Sequence, residues 1–498
     1  MSADKEAGRS APAGPGASER SVGLRRAERW LMRPIDPAGL VAFRVLFGLL
    51  LCAGLIRFLL SGWVGRCYGE REFFFHYWGF SWVEPLPLAG MVALHIVLAA
   101  LALMVALGLF YRASALLFFL GFTYVELIDV TNYLNHYYLV SLLALLMVFM
   151  PLGRVGSLDA RRRPARRLDA LPAWTLHLLR FQVGVVYVFA GLAKLGTDWL
   201  VHAQPLNLWL TARVDTPVIG SLLDEVWVAY AASWAGFLFD TTIVVWLSWR
   251  RTRPFAYAAL LGFHFLTHVF FDIGMFPFIM STAALVFFSP SWPRRWVALA
   301  RRLARRPASA AVASTVAPVV APAMAASRCR RAALAVAAGY CALQVLIPLR
   351  HHVYRGNVLW DEQGMRWSWK VMVREKHGSV TYRVRFTDSG KELQVSPRRY
   401  LDSRQEREMA GQPDLIAQLA SRIARDFERR GRGPVEVRAD ALVSLNGRPA
   451  QPMIDPARDL ASVDRSLAPA DWILPAPVEP PIRLAPRGDA RHARRGGP

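Results

Sequence analysis

Apolar residues gather in nine runs between residues 38 and 349, at 38–61, 89–109, 113–130, 134–152, 174–195, 227–249, 254–272, 275–290 and 331–349. A bilayer core of about 30 Å takes about 20 residues of helix. The pattern therefore predicts a polytopic helical bundle of eight or nine spans, nine by count. Arginines mark alternate connections: the N-terminal tail through Arg33, Arg112, the 153–172 loop, Arg250 to Arg253, and the 291–330 segment. The intervening loops carry only Arg66, Arg71 and Arg213. Positive charge stays inside, so the N-terminus is expected in the cytoplasm. An odd number of spans then places residues 350–498 outside it and Lys194 at the outer end of the fifth span.

Beyond residue 350 the texture changes. The stretch "SVTYRVRFTDSGKELQV" alternates with a period of two about a DSG turn and reads as a hairpin. "PDLIAQLASRIARDFERRG" has helical spacing and ends on glycine. "PVEVRADALVSLNGRPAQPMI" is a second hairpin, turning at Asn446-Gly447. The expected order is a disordered tail at 1–30, a membrane domain at 31–350, a small extracytoplasmic α+β domain at 351–475 and a disordered tail at 476–498. The Ala/Val/Pro-rich stretch 307–326 reads as a cytoplasmic linker rather than a span.

Composition sharpens this picture. Of 498 residues 54% are hydrophobic, the mean hydropathy is +0.25 and the formal charge is +23. A basic chain suits nucleic acid or a membrane surface. Here the basic residues cluster in short loops between apolar runs, which favours the membrane and argues against nucleic acid. Seventeen tryptophans and fourteen tyrosines suit interfacial anchoring. The four cysteines form no CxxC and no paired ladder, so neither a zinc site nor a disulfide framework is indicated. The N-terminal segment has no apolar h-region and does not read as a signal peptide. Compact loops and an Ala/Arg-rich tail suggest a bacterial inner-membrane protein.

Lys194 is the residue that needs explaining, because it stands in "VFAGLAKLGTDWL". An unpaired charge there costs about 2.5 kcal/mol or more. Burial disfavours the ammonium form, and a neutral lysine can act as a general base. Tyr187 and Gly191 fall on its helix face, with Gly191 leaving room for a ligand. The alternative is a snorkelling side chain paired with Asp198 four residues on. Asn132, Asn135 and His136 sit at the outer mouth between the third and fourth runs, as ligand donors or as a capped loop. His264 and His268 share a helix face. With no third ligand at metal spacing, lining a pocket is favoured over binding a metal. The Trp- and Arg-rich stretch "MRWSWKVMVREK" could bind an acidic or aromatic ligand, or rest on headgroups as an amphipathic segment. Phosphate loops, GxSxG elbows and EF-hands are absent from the sequence.

Six segments taken together resemble the vitamin K-dependent γ-glutamyl carboxylases, whose membrane part is the HTTM domain. They are "RPIDPAGLVAFRVLFG", "NHYYL", "YVFAGLAKLGTDWL", "FDIGMFPFIM" with "FFSPSWPRR", "GMRWSWKVMVREK" and "VSLNGRPAQPMIDP", spanning about residues 33 to 475. The resemblance implies a membrane enzyme that oxygenates reduced vitamin K to its epoxide and couples this to carboxylation of glutamate by CO2. In that family a lysine deprotonates the hydroquinone, dioxygen turns the anion into a strong base, and that base removes a γ-proton from glutamate. Lys194 matches the family's base. His136 with Asn135 matches its polar partner, and His264 falls in the pocket wall beside Tyr187. Trp367, Ser368, Trp369 and Arg374 lie in the glutamate-binding stretch. The implied partners are the bilayer, a lipophilic quinol of phylloquinone or menaquinone type, and a glutamate-containing peptide or protein. No metal is implied. Three departures stand out: Ala193 precedes Lys194 where the animal enzymes have a second lysine, Arg374 stands where a histidine is expected, and a long further outer domain is missing. They leave open quinol epoxidation without carboxylation. A transporter or a non-catalytic receptor are the alternatives from other classes.

Overall fold

The computed structural model describes residues 25–271, 273–304 and 327–481. The 307–326 linker, Asp272 and most of both expected tails lie outside these residues. Residues 25–32, which begin within the expected N-terminal tail, are helical. Residues 476–481 are still tied to the C-terminal domain, where Arg448 Nε donates to the Glu479 carbonyl at 2.7 Å.

Nine helices occupy the nine apolar runs. They are α1 (Ala38–Leu60), α2 (Leu88–Leu107), α3 (Tyr111–Ile128), α4 (Asn135–Phe149), α5 (Trp174–Leu192), α6 (Val226–Ser248), α7 (Arg253–Phe270), α8 (Phe276–Ala284) and, after an amphipathic helix α9 (Trp292–Leu303), α10 (Ser327–Leu349). Six of them, α1, α2, α3, α5, α6 and α10, are long and apolar enough to cross a membrane. The others fall short for visible reasons. The 15 residues of α4 rise about 22 Å, because the run ends in Met150, Pro151 and Leu152, where the proline stops the helix. In α8 the helix tightens to a 3-10 turn at Leu285–Phe287. His264, Thr267 and His268 make α7 less apolar.

The helices pack through small residues, as expected where lipid gives no hydrophobic drive to association. A Cβ on Gly48 of α1 would stand 2.7 Å from Ala102 O and from Ala106 N of α2. The charge inside the first apolar run is absorbed locally. Arg44 is buried and donates to the carbonyls of Ala106, Leu152, Val155 and Gly156. It closes the ends of loops that would otherwise leave acceptors in a low-dielectric interior.

The C-terminal domain follows the sequence reading. Strands β1 (Lys376–Phe386), β2 (Glu392–Val395), β3 (Val435–Leu445) and β4 (Gln451–Pro452) form an antiparallel sheet in the order β2-β1-β3-β4. The Asn446-Gly447 turn follows β3 with φ of +49° and +82°, the left-handed geometry such a tight turn requires. Helices α11 (Ser403–Ala410) and α12 (Pro413–Arg429) cover one face. Leu415, Leu419, Ile423 and Phe427 of α12 recur at i, i+4 and bury against Val380, Tyr382, Val437 and Val443.

A buried charge network joins domain and bundle. Arg71 reaches Asp129 with Nη1 at 2.9 Å and Asp402 with Nε at 2.6 Å, and Gln405 Nε2 donates to Asp129 at 2.9 Å. Only a planar fork serves both carboxylates. Arg71→Lys is expected to cost about 1–3 kcal/mol, read as a lower melting temperature in detergent micelles. Burial would raise the Asp402 carboxyl, yet the Gln405 backbone N–H and the Arg71 guanidinium outweigh it and hold the group below its usual value. A lowered folded-state value contributes stability present above the ordinary carboxylate range and lost as pH falls through it. Melting should therefore weaken below about pH 4, and Asp402→Asn should flatten that limb of the melting profile.

Candidate active site at the seam between bundle and domain

α5 ends at Leu192, and Lys194 sits in the turn that follows, its N–H on the Gly191 carbonyl at 2.9 Å. The side chain folds back inward and is 4% exposed. Its Nζ donates to Asp240 Oδ2 at 2.7 Å, Ala190 O at 3.2 Å and Val371 O at 3.4 Å, and lies 5.1 Å from the centre of the Trp199 ring. Three acceptors match the three N–H bonds of an ammonium. The charge is thus offset by a partner rather than removed by burial alone. Snorkelling and pairing with Asp198 do not occur. Asp198 is held instead by Arg448 at 2.6 Å and by Asn446 Nδ2 at 2.9 Å, which ties the turn after Lys194 to the Asn446-Gly447 hairpin.

Asp240, on α6, is the partner of Lys194 that sequence reasoning missed. Its signal was present, since a lone acid in the apolar stretch "FLFDTTIVVW" requires a partner. Gly191 does not leave space for a ligand: a Cβ there would meet Thr241 Cγ2 at 2.5 Å, so α6 fills that face. This close approach of α5 and α6 brings Lys194 and Asp240 into contact.

Next to the pair, Tyr187 Oη and His264 Nε2 are 2.9 Å apart, and both residues are buried. His264 Nδ1 has no hydrogen-bond partner. His268 is exposed and packs on Phe278, so the two histidines of α7 diverge. Among the described residues no group of three His, Cys, Asp or Glu could hold a metal ion.

On the other side lies a cavity of about 470 Å³, within the size range of small-molecule sites. His136, Asn135, Tyr137, Phe276, Val371 and Met372 contribute to its wall. His136 makes ring contacts only among the described residues, 4.6 Å from Tyr137 and 5.9 Å from Phe276 between centroids. Phe276 also meets His264, edge to face, at 5.8 Å. Lys194 therefore stands one residue behind the cavity wall at Val371 and His264 one residue behind it at Phe276, with Tyr187 beyond His264.

Of the Trp367–Arg374 stretch, Val371 and Met372 contribute to that wall, and the residues before them turn inward. Trp369 is fully buried and stacks on Tyr138 at 4.9 Å; Trp367 stacks on Tyr77 at 5.6 Å. Ser368 is buried and bonds the Gly364 carbonyl. Trp367, Trp369 and Met372 have φ of +60°, +56° and +53°. Bulky residues in the left-handed region cost about 1–3 kcal/mol each, and here the stacking partners hold them. Trp367 N–H donates to Tyr133 Oη at 2.9 Å, and Tyr133 Oη donates to Asn135 Oδ1 at 3.0 Å, which fixes the wall to the polar mouth. Arg374 does not face the cavity. It pairs with Glu362, which also takes Lys376 Nζ at 3.0 Å.

Residues 32–292 match the HTTM domain, and residues 329–479 match the vitamin K-dependent gamma-carboxylase lumenal domain. The chain belongs to the vitamin K-dependent carboxylase family. No solved structure matches it. In this carboxylase-family chain the HTTM part carries Lys194, Asp240, His136 and His264, and the lumenal-type domain carries Val371 and the tryptophans. The pair and the cavity wall meet where the two matched domains meet.

Proposed function

We propose that this protein is a membrane enzyme of the vitamin K-dependent carboxylase type, which oxygenates a reduced vitamin K to its epoxide and couples this to carboxylation of glutamate in a peptide or protein. The observation that carries the reading is the buried Lys194–Asp240 pair at the seam of the two domains, one residue from an apolar cavity that holds His136. A quinol with a prenyl tail partitions into lipid, so its base belongs at the membrane edge. Reduced vitamin K supplies the reducing power for oxygen activation; the chain supplies binding, orientation and proton transfer. At 2.7 Å the proton can rest on Nζ or on Oδ2. Lys194 presents a neutral amine whenever Asp240 holds the proton, and the pair can then accept one more from a quinol hydroxyl that reaches Nζ past Val371. His136 and Asn135 orient the ring from the cavity side. The wall at Val371 and Met372 keeps water from the reacting centre, as a transient strong base requires. The loop arginines favour a cytoplasmic N-terminus and an extracytoplasmic C-terminal domain, in a bacterial inner membrane.

One observation favours the narrower reaction, epoxidation without carboxylation. Arg374, in the stretch expected to bind glutamate and standing where a histidine is expected, is engaged by Glu362. One assay separates the two: full-length protein in nanodiscs with reduced vitamin K, oxygen, a glutamate-containing peptide and labelled bicarbonate. Epoxide with labelled peptide supports the full reaction, and epoxide alone supports the narrower one. A folded protein that makes no epoxide rules out both.

A further inference from the structure

A second cavity, of about 540 Å³, opens where α2 passes to α3 and where α4 runs into the 153–172 loop. Five arginines line it, Arg112, Arg154, Arg162, Arg163 and Arg166, against one acid, Asp159. It shares no residue with the cavity beside Lys194, and the quinol reading does not bear on it. The acid does not neutralise the arginines. Its two oxygens accept the backbone N–H groups of Phe110 and Tyr111 at 2.9 and 2.8 Å, and among the described residues none of the five arginines forms an ion pair. Near the seam the chain treats its arginines differently: Arg71, Arg366, Arg374 and Arg448 each meet a carboxylate. The frame of the second cavity is nevertheless fixed. Arg44 holds the Leu152, Val155 and Gly156 carbonyls, Arg154 Nε donates to the Arg166 carbonyl at 2.7 Å, and Arg162 lies over the Phe110 ring at 4.6 Å. The side chains of Arg112, Arg163 and Arg166 make no hydrogen bond among the described residues.

Like charges gathered around one space repel unless an anion stands among them. The planar fork of arginine matches the oxygens of a phosphate. The surroundings say what carries that phosphate. Arg112 begins a stripe on α3 that continues at Leu116 and Leu120, four and eight residues on, and both leucines are exposed. Because α3 is long and apolar enough to cross a membrane, this stripe faces acyl chains. Phe110 and Phe149 are exposed beside the cavity, where aromatic rings suit the level of the headgroups. Orientation of the bundle alone requires arginines in this loop, but it does not require them to converge on a cavity. We propose that this cavity binds the phosphate of an anionic phospholipid, whose acyl chains lie along the Leu116–Leu120 stripe. Basic pockets between helices at a membrane face bind such headgroups.

Lipid binding is measured by native mass spectrometry on the full-length protein in a non-ionic detergent, titrated with phosphatidylglycerol and with phosphatidylcholine of the same chains. Wild type is expected to hold phosphatidylglycerol about tenfold or more tightly than phosphatidylcholine, with the preference falling as salt rises. Arg112→Gln combined with Arg163→Gln should abolish the preference, since these two guanidiniums line the cavity and hold no part of the fold. Arg250→Gln combined with Arg251→Gln removes the same charge from the exposed connection between α6 and α7 and should keep it. Equal affinity of wild type for the two lipids overturns the proposal. Equal loss in the two double variants overturns it as well, because net charge rather than a site would then attract the lipid. Inorganic phosphate that displaces phosphatidylglycerol at equal concentration assigns the cavity to a soluble phosphate and also overturns it. If the Arg112 and Arg163 double variant does not fold, each single substitution should weaken phosphatidylglycerol binding by about threefold or more and leave phosphatidylcholine binding unchanged; no such difference in either one overturns the proposal.

Discussion

Lys194→Ala is expected to lower epoxide formation by about a hundred- to ten-thousand-fold, the range a positioned general base contributes. The loss should fall on turnover, with quinol affinity nearly unchanged, because the side chain lies behind the cavity wall and the ligand's contacts are with His136, Tyr137 and their neighbours. A structural role alone would give a different pattern. Removing the amine leaves Asp240 buried without its cation, so a protein that merely unfolds would lose quinol binding and turnover together. Quinol affinity by equilibrium binding, set beside epoxide yield by chromatography, separates the two. Lys194→Arg should not rescue turnover, since a guanidinium does not give up its proton.

The second large effect concerns the pair as a structural unit. Asp240→Ala should destabilise the bundle by about 3–5 kcal/mol, the cost of stranding one charge of a buried pair. Combining Lys194→Met with Asp240→Leu should return most of that stability, because matched apolar side chains need no partner, while epoxide formation stays absent. Thermal unfolding in detergent micelles reads the first half and the activity assay the second. A single variant that melts like wild type, or a double variant no more stable than Asp240→Ala, would mean that the ion pair carries no weight in the fold.

Much of the architecture was legible because it depends on periodicity. Nine apolar runs became nine helices, and the DSG and Asn446-Gly447 turns closed the two expected strand pairings. Residues whose meaning lies between helices were harder to read. The spacing of Tyr187, Gly191 and Lys194 predicted one helix face, but α5 ends at Leu192 and Lys194 lies in the turn beyond it. Only packing shows that Thr241 occupies the gap beside Gly191, and that Asp240, 46 residues away, meets Lys194. An apolar stripe on a helix surrounded by lipid or by other helices gives no hint of which neighbour faces it. In the 367–374 stretch the residue types suggested ligand contacts at the surface. The structure turns the tryptophans inward through left-handed backbone at Trp367, Trp369 and Met372, a conformation that no propensity of Trp or Met foretells. Arg374 kept its charge and found an internal acid, Glu362.

The most direct test follows the proton itself. Reduced vitamin K is titrated anaerobically into full-length protein in nanodiscs, and the absorbance of the quinol anion is recorded before any oxygen enters. The anion should accumulate on wild type and be lost in both Lys194→Ala and Asp240→Ala, with ligand still bound. An anion signal of wild-type size in Lys194→Ala, or bound quinol that stays fully protonated on wild type, would contradict a proton-accepting pair at this seam.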